Sequence, residues 1–192
     1  TGMVVNLFDL KRVLLQVLEG FDHKHLNLDL PYFNHQIPTS ENLARVLWDK
    51  LQAQHDIGIL QRLSLYEDED LCADLTAEAG LDVASVTRRY SFTAVHEGHR
   101  GHTWDLFVSV HGPIHPETGM VTDIVALDRL VKERVLLPFD GRDLRMVLAT
   151  PSVTGEYLAK AVWDRIVSSV PAGRLQLVKL VQTRDLSYEY AG

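Results

Sequence analysis

The chain has 192 residues, of which 46% are hydrophobic and 23% charged, and its formal net charge is −7. No apolar run approaches the roughly 20 residues that a membrane span needs, so we predict no association with a membrane. The acidic balance disfavours a general nucleic-acid binder, because such proteins need an excess of lysine and arginine to neutralise phosphates. The one cysteine, Cys72, can form no internal disulfide. We therefore expect a cytoplasmic protein whose partners are small molecules and further copies of itself.

The sequence contains an internal duplication. TGMVVNLFDLKRVL recurs as TGMVTDIVALDRLV, with Gly2 matching Gly119 at an offset of 119 − 2 = 117 positions. TSENLARVLWDKL recurs as TGEYLAKAVWDRI, with Trp48 matching Trp163 at an offset of 163 − 48 = 115 positions. Blocks in the same order at nearly one offset indicate a duplicated unit of roughly 115 residues.

The first repeat, predicted over residues 1–76, begins with two helices and continues with a strand. Asn6 can cap the first helix, and Ser40 is predicted to cap the second. Leu63 and Leu65 then alternate in a strand pattern. The apolar positions of the first helix recur at helical spacing and should be buried. They are Leu7, Leu10, Val13, Leu14 and Val17.

The second repeat, predicted over residues 77–192, has the same order with two strands ahead of it. One leading strand lies around positions 86–92, and the other carries Trp104, Leu106, Val108 and Val110 on one face. Asp123 and Thr154 can cap its two helices, a strand follows over positions 175–181, and a short final strand lies near Tyr188. The matching leading strands of the first repeat would precede Thr1, so we expect a sheet edge that a partner or a further segment completes.

The densest polar cluster of the first repeat is FDHKHLN, at positions 21–27. Asp22 beside His23 suits proton transfer, because a carboxylate can orient an imidazole and raise its basicity near neutral pH. A solvated loop after a helix is the alternative interpretation. The second repeat has Asp140 followed by Gly141, so only the first repeat can use this histidine.

Two further groups of polar residues stand in the first repeat. Thr39, Ser40 and Glu41 form a helix-capping sequence, and a helix N-terminus also presents hydrogen-bond donors to a ligand. Glu67 follows the predicted strand, and by itself it is an ordinary surface acid.

Three histidines of the second repeat lie within seven residues across a predicted turn: His96, His99 and His102. Three imidazoles with an open fourth position are the ligands of a catalytic zinc ion. Chance clustering is the alternative, because the chain has nine histidines. The sequence has no phosphate-binding glycine loop and no serine nucleophile motif.

The chain resembles the family of 6-pyruvoyltetrahydropterin and 6-carboxytetrahydropterin synthases. The resemblance rests on TGMVVNLFDLK, FDHKHLNLDLPYF, PTSENLARVLWDKL and LSLYEDED in the first repeat and on FTAVH and RGHTW in the second. It implies an α+β tunnelling fold, in which each unit has a four-stranded antiparallel sheet with two helices on one face. We expect two tandem units, the first incomplete, in a homo-oligomer that is a trimer of tandem chains or a hexamer-like barrel.

The resemblance also implies roles for residues of the first repeat. Asp22 and His23 match the catalytic pair that handles protons. Glu67 matches the anchor of the pterin ring, for which a carboxylate is suited because it can accept two hydrogen bonds from the amino-pyrimidinone edge. The pterin-contacting positions are Thr39, Ser40 and Glu41. Cys72 does not stand at the position of the family's cysteine.

The second repeat departs from the family pattern. His96 resembles the first zinc ligand and His102 the last, but Arg100 replaces the middle ligand and His99 is the nearest substitute. Gln182 stands where the anchoring glutamate belongs. The second repeat is therefore expected to be partly silenced.

The implied activity is that of a zinc-dependent carbon–oxygen lyase that eliminates triphosphate from 7,8-dihydroneopterin triphosphate. Zinc would polarise the side-chain oxygens of the substrate as a Lewis acid. One alternative is a non-catalytic pterin-binding or structural protein of the same fold. Another is an aldolase acting on dihydroneopterin, which needs the anchoring glutamate but no histidine cluster. The sequence leaves the pyruvoyl and carboxy products open, because both arise from one substrate.

Overall fold

The computed structural model describes residues 6–54, 57–96 and 101–192. No helix in these ranges is long and apolar enough to cross a membrane. The helices are α1 (Leu7–Glu19), α2 (Leu26–Asp29), α3 (Ser40–Gln52), α4 (Ile124–Val131), α5 (Leu137–Phe139), α6 (Leu144–Val147) and α7 (Gly155–Ile166). The strands are β1 (Arg62–Tyr66), β2 (Leu71–Thr76), β3 (Val83–Ala94), β4 (His102–Pro113), β5 (Arg174–Thr183) and β6 (Leu186–Tyr190).

The six strands form one sheet in the order β1-β2-β3-β4-β5-β6. Strands β1 and β2 pair antiparallel, as do β4 with β5 and β5 with β6. The first repeat contributes two long helices and two strands, and the second contributes two strands, its helices and two more strands. The predicted α+β class is confirmed.

Helix caps follow the predicted polar residues with one exception. The side chain of Asn6 accepts a hydrogen bond from the N–H of Phe8, and those of Asp123 and Thr154 cap α4 and α7. The prediction of Ser40 as a cap is wrong. Thr39 has the extended backbone of an N-cap and accepts from the backbone beyond it, so Ser40 is the first helical residue.

The apolar stripe of α1 is narrower than predicted. Val13 and Val17 are buried, but Leu7 is 77% and Leu14 37% exposed, so the prediction of burial is wrong for these two. The reason is that α1 packs mainly against one neighbour, α3, and only the arc centred on the two valines faces it. The core formed there consists of Val13, Val17, Leu47, Leu51 and Ile57.

The chain divides into two compact units. The first comprises Thr1–Glu67, Cys72–Ala84 and Pro113–Met120, and the second comprises Asp68–Leu71, Ser85–Gly112 and Val121–Gly192. In the second unit, α7 packs on β5 and β6. The predicted face of β4 is fully buried there, at Trp104, Leu106, Val108 and Val110. The predicted boundary between the repeats, at positions 76 and 77, stays a prediction.

A single π-helical turn accounts for a one-residue insertion in the second repeat. The offset between repeats is 117 at Gly2 and Gly119 but 139 − 21 = 118 at Phe21 and Phe139, so the second repeat holds one additional residue in between. The turn Lys132–Leu136 is π-helical, and its i→i+5 hydrogen bonds enclose one residue more than an α-helical turn. The helix absorbs the insertion without displacing Phe139 from the core, where it is fully buried.

Candidate functional site

Ser40 and Glu67 meet at the N-terminus of α3. The Ser40 hydroxyl donates a hydrogen bond to Glu67 Oε2 at 2.6 Å. Ser40 opens the helix and Glu67 directly follows β1, so the packing of α3 against β1 brings together residues far apart in sequence. A carboxylate at the first turn of a helix also lies near the positive end of the helix dipole. Two of the predicted pterin-contacting residues thus share one site.

The Thr39 hydroxyl makes hydrogen bonds within the protein. Its hydroxyl donates to the carbonyl of Gly119 at 2.6 Å and accepts from the N–H of Asn42 at 3.2 Å. Gly119 has φ +72°, and a Cβ there would lie 2.3 Å from Asn42 Nδ2. Only glycine fits this turn, because it needs both a positive φ and the absence of a side chain.

Two buried polar side chains follow Thr39 in the first turn of α3. Glu41 is 5% exposed and Asn42 is 2% exposed. Asn42 Nδ2 donates to the carbonyl of Ile37 at 2.8 Å, whereas its Oδ1 is buried and has no hydrogen-bond partner among the described residues. Sequence reasoning missed Asn42, since nothing in its spacing separates it from an ordinary helix-surface residue.

Asp22 and His23 lie in the turn after α1. Asp22 Oδ2 and His23 Nε2 are 3.6 Å apart, and the two side chains are 67% and 95% exposed. His23 has φ +53°, which is uncommon for a residue with a Cβ. No hydrogen bond or ion pair among the described residues joins this pair to Ser40 or Glu67. The structure therefore brings the predicted site residues together as two separate pairs.

A tyrosine ring fills the matching place in the second repeat. At the offset of 115, Gly155 is equivalent to Ser40, and Gln182 is equivalent to Glu67. A Cβ on Gly155 would lie 2.2 Å from the ring of Tyr188. The Tyr188 hydroxyl points toward Gln182 Oε1, at 3.5 Å. The space beside the helix N-terminus is thus taken by the protein itself.

Strand register identifies the residue that Tyr188 replaces. Tyr188 pairs with Leu180 between β5 and β6. Leu65 stands 115 positions before Leu180, and it pairs with Ala73 between β1 and β2. The first repeat therefore has a methyl group where the second has a phenol. This difference was missed from sequence, because it depends on the pairing of two short strands.

Two of the predicted zinc ligands are neighbours. The rings of His96 and His102 have centroids 5.2 Å apart, and His96 also packs edge-on against Trp104 at 5.1 Å. Gln182 Nε2 lies 3.3 Å from His96 Nε2. The third predicted ligand, His99, lies outside the described residues, as does Arg100. Within the described ranges, no three histidine, cysteine or acidic side chains form a group that could hold a metal ion.

Cys72 has the surroundings of an unreactive thiol. It is 7% exposed, and its Sγ lies 3.9 Å from Asp74 Oδ2. Burial, and to a lesser degree the charge of Asp74, raises the pKa of this thiol to about 11. The thiolate is the nucleophilic form, so this cysteine is poorly suited to catalysis.

The sequence profile of the family described as 6-pyruvoyl tetrahydropterin synthase matches the chain twice, over residues 1–78 and 75–192. The chain belongs to this family. The two matches also agree with two tandem units of its fold.

Similar members of the family include vertebrate and archaeal proteins. The chain is 42% identical over 71 residues to 6-pyruvoyl tetrahydrobiopterin synthase of Pongo abelii, an alignment that covers 36% of this chain and 49% of the relative. It is 36% identical over 74 residues to a putative 6-carboxy-5,6,7,8-tetrahydropterin synthase of Archaeoglobus fulgidus, covering 38% and 58%. The chain spans about half the length of the curated relatives it matches.

The fold also resembles a solved structure of the family. The structure of Caenorhabditis elegans 6-pyruvoyl tetrahydropterin synthase matches with a TM-score of 0.53 at 24% identity, covering 57% of this chain and 96% of that one. At this identity the likeness supports the tunnelling fold, and the chemistry has to be argued from the residues themselves.

Proposed function

We propose that the chain is part of a pterin synthase, a carbon–oxygen lyase that acts on 7,8-dihydroneopterin triphosphate and eliminates triphosphate. The observation that carries the proposal is the 2.6 Å hydrogen bond from Ser40 to Glu67 at the start of α3. It places a carboxylate next to a helix N-terminus in the repeat whose motifs resemble the synthases most closely.

Glu67 would hold the pterin ring. The Ser40 hydroxyl donates to Oε2 and so orients the carboxylate, while Oε1 and the second lone pair of Oε2 remain for a ligand. An amino-pyrimidinone edge presents two parallel N–H donors, which match a carboxylate in a bidentate arrangement. Glu41, in the buried first turn of α3, would contact the pterin. Thr39 would hold this turn in position through its hydrogen bond to the carbonyl of Gly119.

Asp22 and His23 would move protons. An imidazole can both accept and donate a proton, and the Asp22 carboxylate lies 3.6 Å away from it. The exposure of His23 leaves it accessible to a substrate side chain. The positive φ at His23 also supports a functional role, because non-glycine residues in that conformation are concentrated at functional sites.

Zinc is part of the proposal only as a cofactor whose binding has to be measured. His96 and His102 are one donor short of a three-histidine set, and the Gln182 amide lies against His96. The described residues therefore do not fit a catalytic zinc site by themselves, and we assign no step to the ion.

A second candidate function applies to the second repeat. We propose that it is a non-catalytic unit, because Tyr188 fills the space beside Gly155 and Gln182 replaces the carboxylate. Its contribution would be structural, through sheet and helix packing. The alternative of a non-catalytic tunnelling-fold protein is thus proposed for the second repeat alone.

We further propose a cytoplasmic homo-oligomer, either a trimer of tandem chains or a hexamer-like barrel. Strands β1 and β6 lie at the two ends of the sheet, and closing a barrel would pair such edges. Light scattering coupled to size-exclusion chromatography would give the mass, and a monomer at micromolar concentration would contradict this part of the proposal.

The activity is tested with the natural polypeptide in full, supplied with zinc and 7,8-dihydroneopterin triphosphate, by following triphosphate release and pterin products. His23→Gly should lower kcat by at least about 100-fold, the usual size of a lost general acid–base group. Glycine is chosen because Gly141 adopts the matching turn. His35→Ala, at another exposed histidine, is the control and should keep full activity.

The outcomes separate the hypotheses. Turnover that depends on His23 supports the synthase. Pterin binding without turnover favours the non-catalytic alternative, and cleavage of dihydroneopterin without any metal favours an aldolase. Absence of both binding and turnover would contradict the proposed function altogether.

A further inference from the structure

The turn that follows β4 is organised by a histidine. The N–H groups of Glu117 and Thr118 both donate to His115 Nδ1, at 3.3 and 3.4 Å. The N–H of Gly119 donates to the His115 carbonyl at 2.7 Å. Pro116 has no N–H, so His115 accepts from every N–H that the turn offers up to the glycine. Because Nδ1 is the acceptor, the ring proton is assigned to Nε2.

Packing does little to fix the shape of this turn. Residues 115–118 are exposed, and Gly119 at the end of the turn is buried. An exposed segment without packing partners depends on its own hydrogen bonds for a defined conformation. An acceptor that binds the N–H two residues further along is typical of an Asx turn, and here an imidazole supplies it. The His115 side chain therefore helps to set the direction of the Gly119 carbonyl.

That carbonyl connects the turn to α3. The carbonyl of Gly119 accepts from the Thr39 hydroxyl at 2.6 Å, and the same hydroxyl accepts from the N–H of Asn42 at 3.2 Å. Ser40 follows directly and donates to Glu67 Oε2 at 2.6 Å. A displacement of the turn would therefore reach Ser40 through a single hydrogen bond and the peptide bond that follows Thr39.

The second repeat shows that a helix cap does not need such a carbonyl. Thr154 is equivalent to Thr39 at the offset of 115, and it caps α7 by accepting from the N–H of Tyr157 at 3.3 Å. Within the described ranges, the Thr154 hydroxyl donates to no carbonyl. The hydrogen bond from Thr39 to Gly119 is thus additional to capping, and it fixes the start of α3 against the turn.

We propose that His115 is a positioning residue for the candidate pterin site of the first repeat. Its imidazole holds the turn, the turn holds Thr39, and Thr39 sets where Ser40 meets Glu67. His115 acts through these residues and needs no contact with the ligand. The inference rests on the proposed function, because that proposal assigns a ligand to Glu67. The connection from His115 to Thr39 can be tested without any ligand.

His115→Ala removes the acceptor of two N–H groups. The natural polypeptide in full is titrated calorimetrically with 7,8-dihydroneopterin triphosphate at pH 8 in the absence of zinc. We expect the affinity of the variant to fall about threefold to tenfold. His115→Asn should restore it to within about twofold, because the asparagine oxygen can accept from the N–H two residues along. Glu117→Ala is the matched control in the same turn; it keeps every backbone N–H, so its affinity should be unchanged.

The ligand-free protein tests the connection separately. In 1H–15N spectra, His115→Ala should shift the amide signals of Ser40 and Asn42, and His115→Asn should return them toward their original positions. Glu117→Ala should leave both signals in place. Shifted signals in a protein that binds no pterin even when unmodified would contradict the proposed function and still support the connection from His115 to Thr39.

Four results would overturn the positioning role. They are unmoved Ser40 and Asn42 signals in His115→Ala, unchanged affinity in that variant, failure of His115→Asn to restore the affinity, and an equal loss of affinity in Glu117→Ala. The third result would show that the loss does not come from the missing acceptor. The fourth would show that any change in the turn weakens binding, whichever side chain is removed.

Discussion

The two repeats differ in the side chains that lie beside equivalent helix N-termini. In the first, Ser40 bonds to Glu67 and the strand position opposite carries Ala73. In the second, Gly155 has no side chain and Tyr188 packs onto it. The substitutions compensate each other, because a phenol can occupy this place only when the helix residue has lost its Cβ.

The difference teaches which changes are linked. The second repeat has Gln182 in place of a carboxylate, and there the large Tyr188 ring contributes packing. The Tyr188 ring also packs near Trp104, with centroids 6.2 Å apart, and so extends the core. Duplication allows this, because one unit can be stabilised while the other keeps the candidate site.

Ala73→Tyr should produce the largest effect, since it recreates the filled site in the first repeat. We expect pterin binding to be lost and the free energy of unfolding to fall by about 1–3 kcal/mol from overpacking against Ser40. Isothermal titration and chemical denaturation measure the two effects. Adding Ser40→Gly should restore most of the stability without restoring binding, and a double variant as unstable as the single one would show that the two places are not equivalent.

Glu67→Gln gives the first repeat the amide that the second repeat has at Gln182. Pterin affinity should fall about 100-fold, because two hydrogen bonds lose their charged acceptor. Glu78→Gln, at another exposed acid, is the matched control and should bind normally. Unchanged affinity in Glu67→Gln, measured by fluorescence titration, would remove this residue from the site.

Cys72 contrasts with Glu67, which belongs to the same repeat but is exposed. With its pKa raised to about 11, the thiolate is scarce at pH 8, and alkylation by iodoacetamide should be at least about 100-fold slower than for a free cysteine. Because the folded pKa lies above the unfolded value of about 8.5, the protonated thiol stabilises the fold at neutral pH. That contribution is lost as the pH rises from about 8.5 toward 11. Rapid alkylation of the native protein would contradict the buried environment.

The smallest expected effect concerns the matched turns at His23 and Gly141. His23→Gly should raise the free energy of unfolding by a few tenths to about 1 kcal/mol, because glycine adopts the positive φ without the clash of a Cβ. Gly141→His should lower it by a similar amount. Thermal unfolding of both variants measures the difference, and destabilisation by His23→Gly would mean that the histidine ring makes a stabilising contact.

Local signals in the sequence predicted most of the elements. Asn6, Asp123 and Thr154 were recognisable as caps because a side-chain oxygen before an apolar helix pattern satisfies free N–H groups. The exception at Ser40 could have been avoided, since the internal alignment places Thr39 opposite Thr154. Exposure of Leu7 and Leu14 was not predictable, because it depends on how much of α1 its neighbour covers.

The sequence by itself determined the duplication, the α+β class and the family, because these depend on periodicity and on motifs read along the chain. It also placed a serine and a glutamate at element ends. Only the tertiary structure decided that Ser40 and Glu67 bond to each other, and that Tyr188 closes the matching place in the second repeat. Both depend on strand register and on the docking of a helix against a sheet, which join residues whose separation in sequence carries no signal.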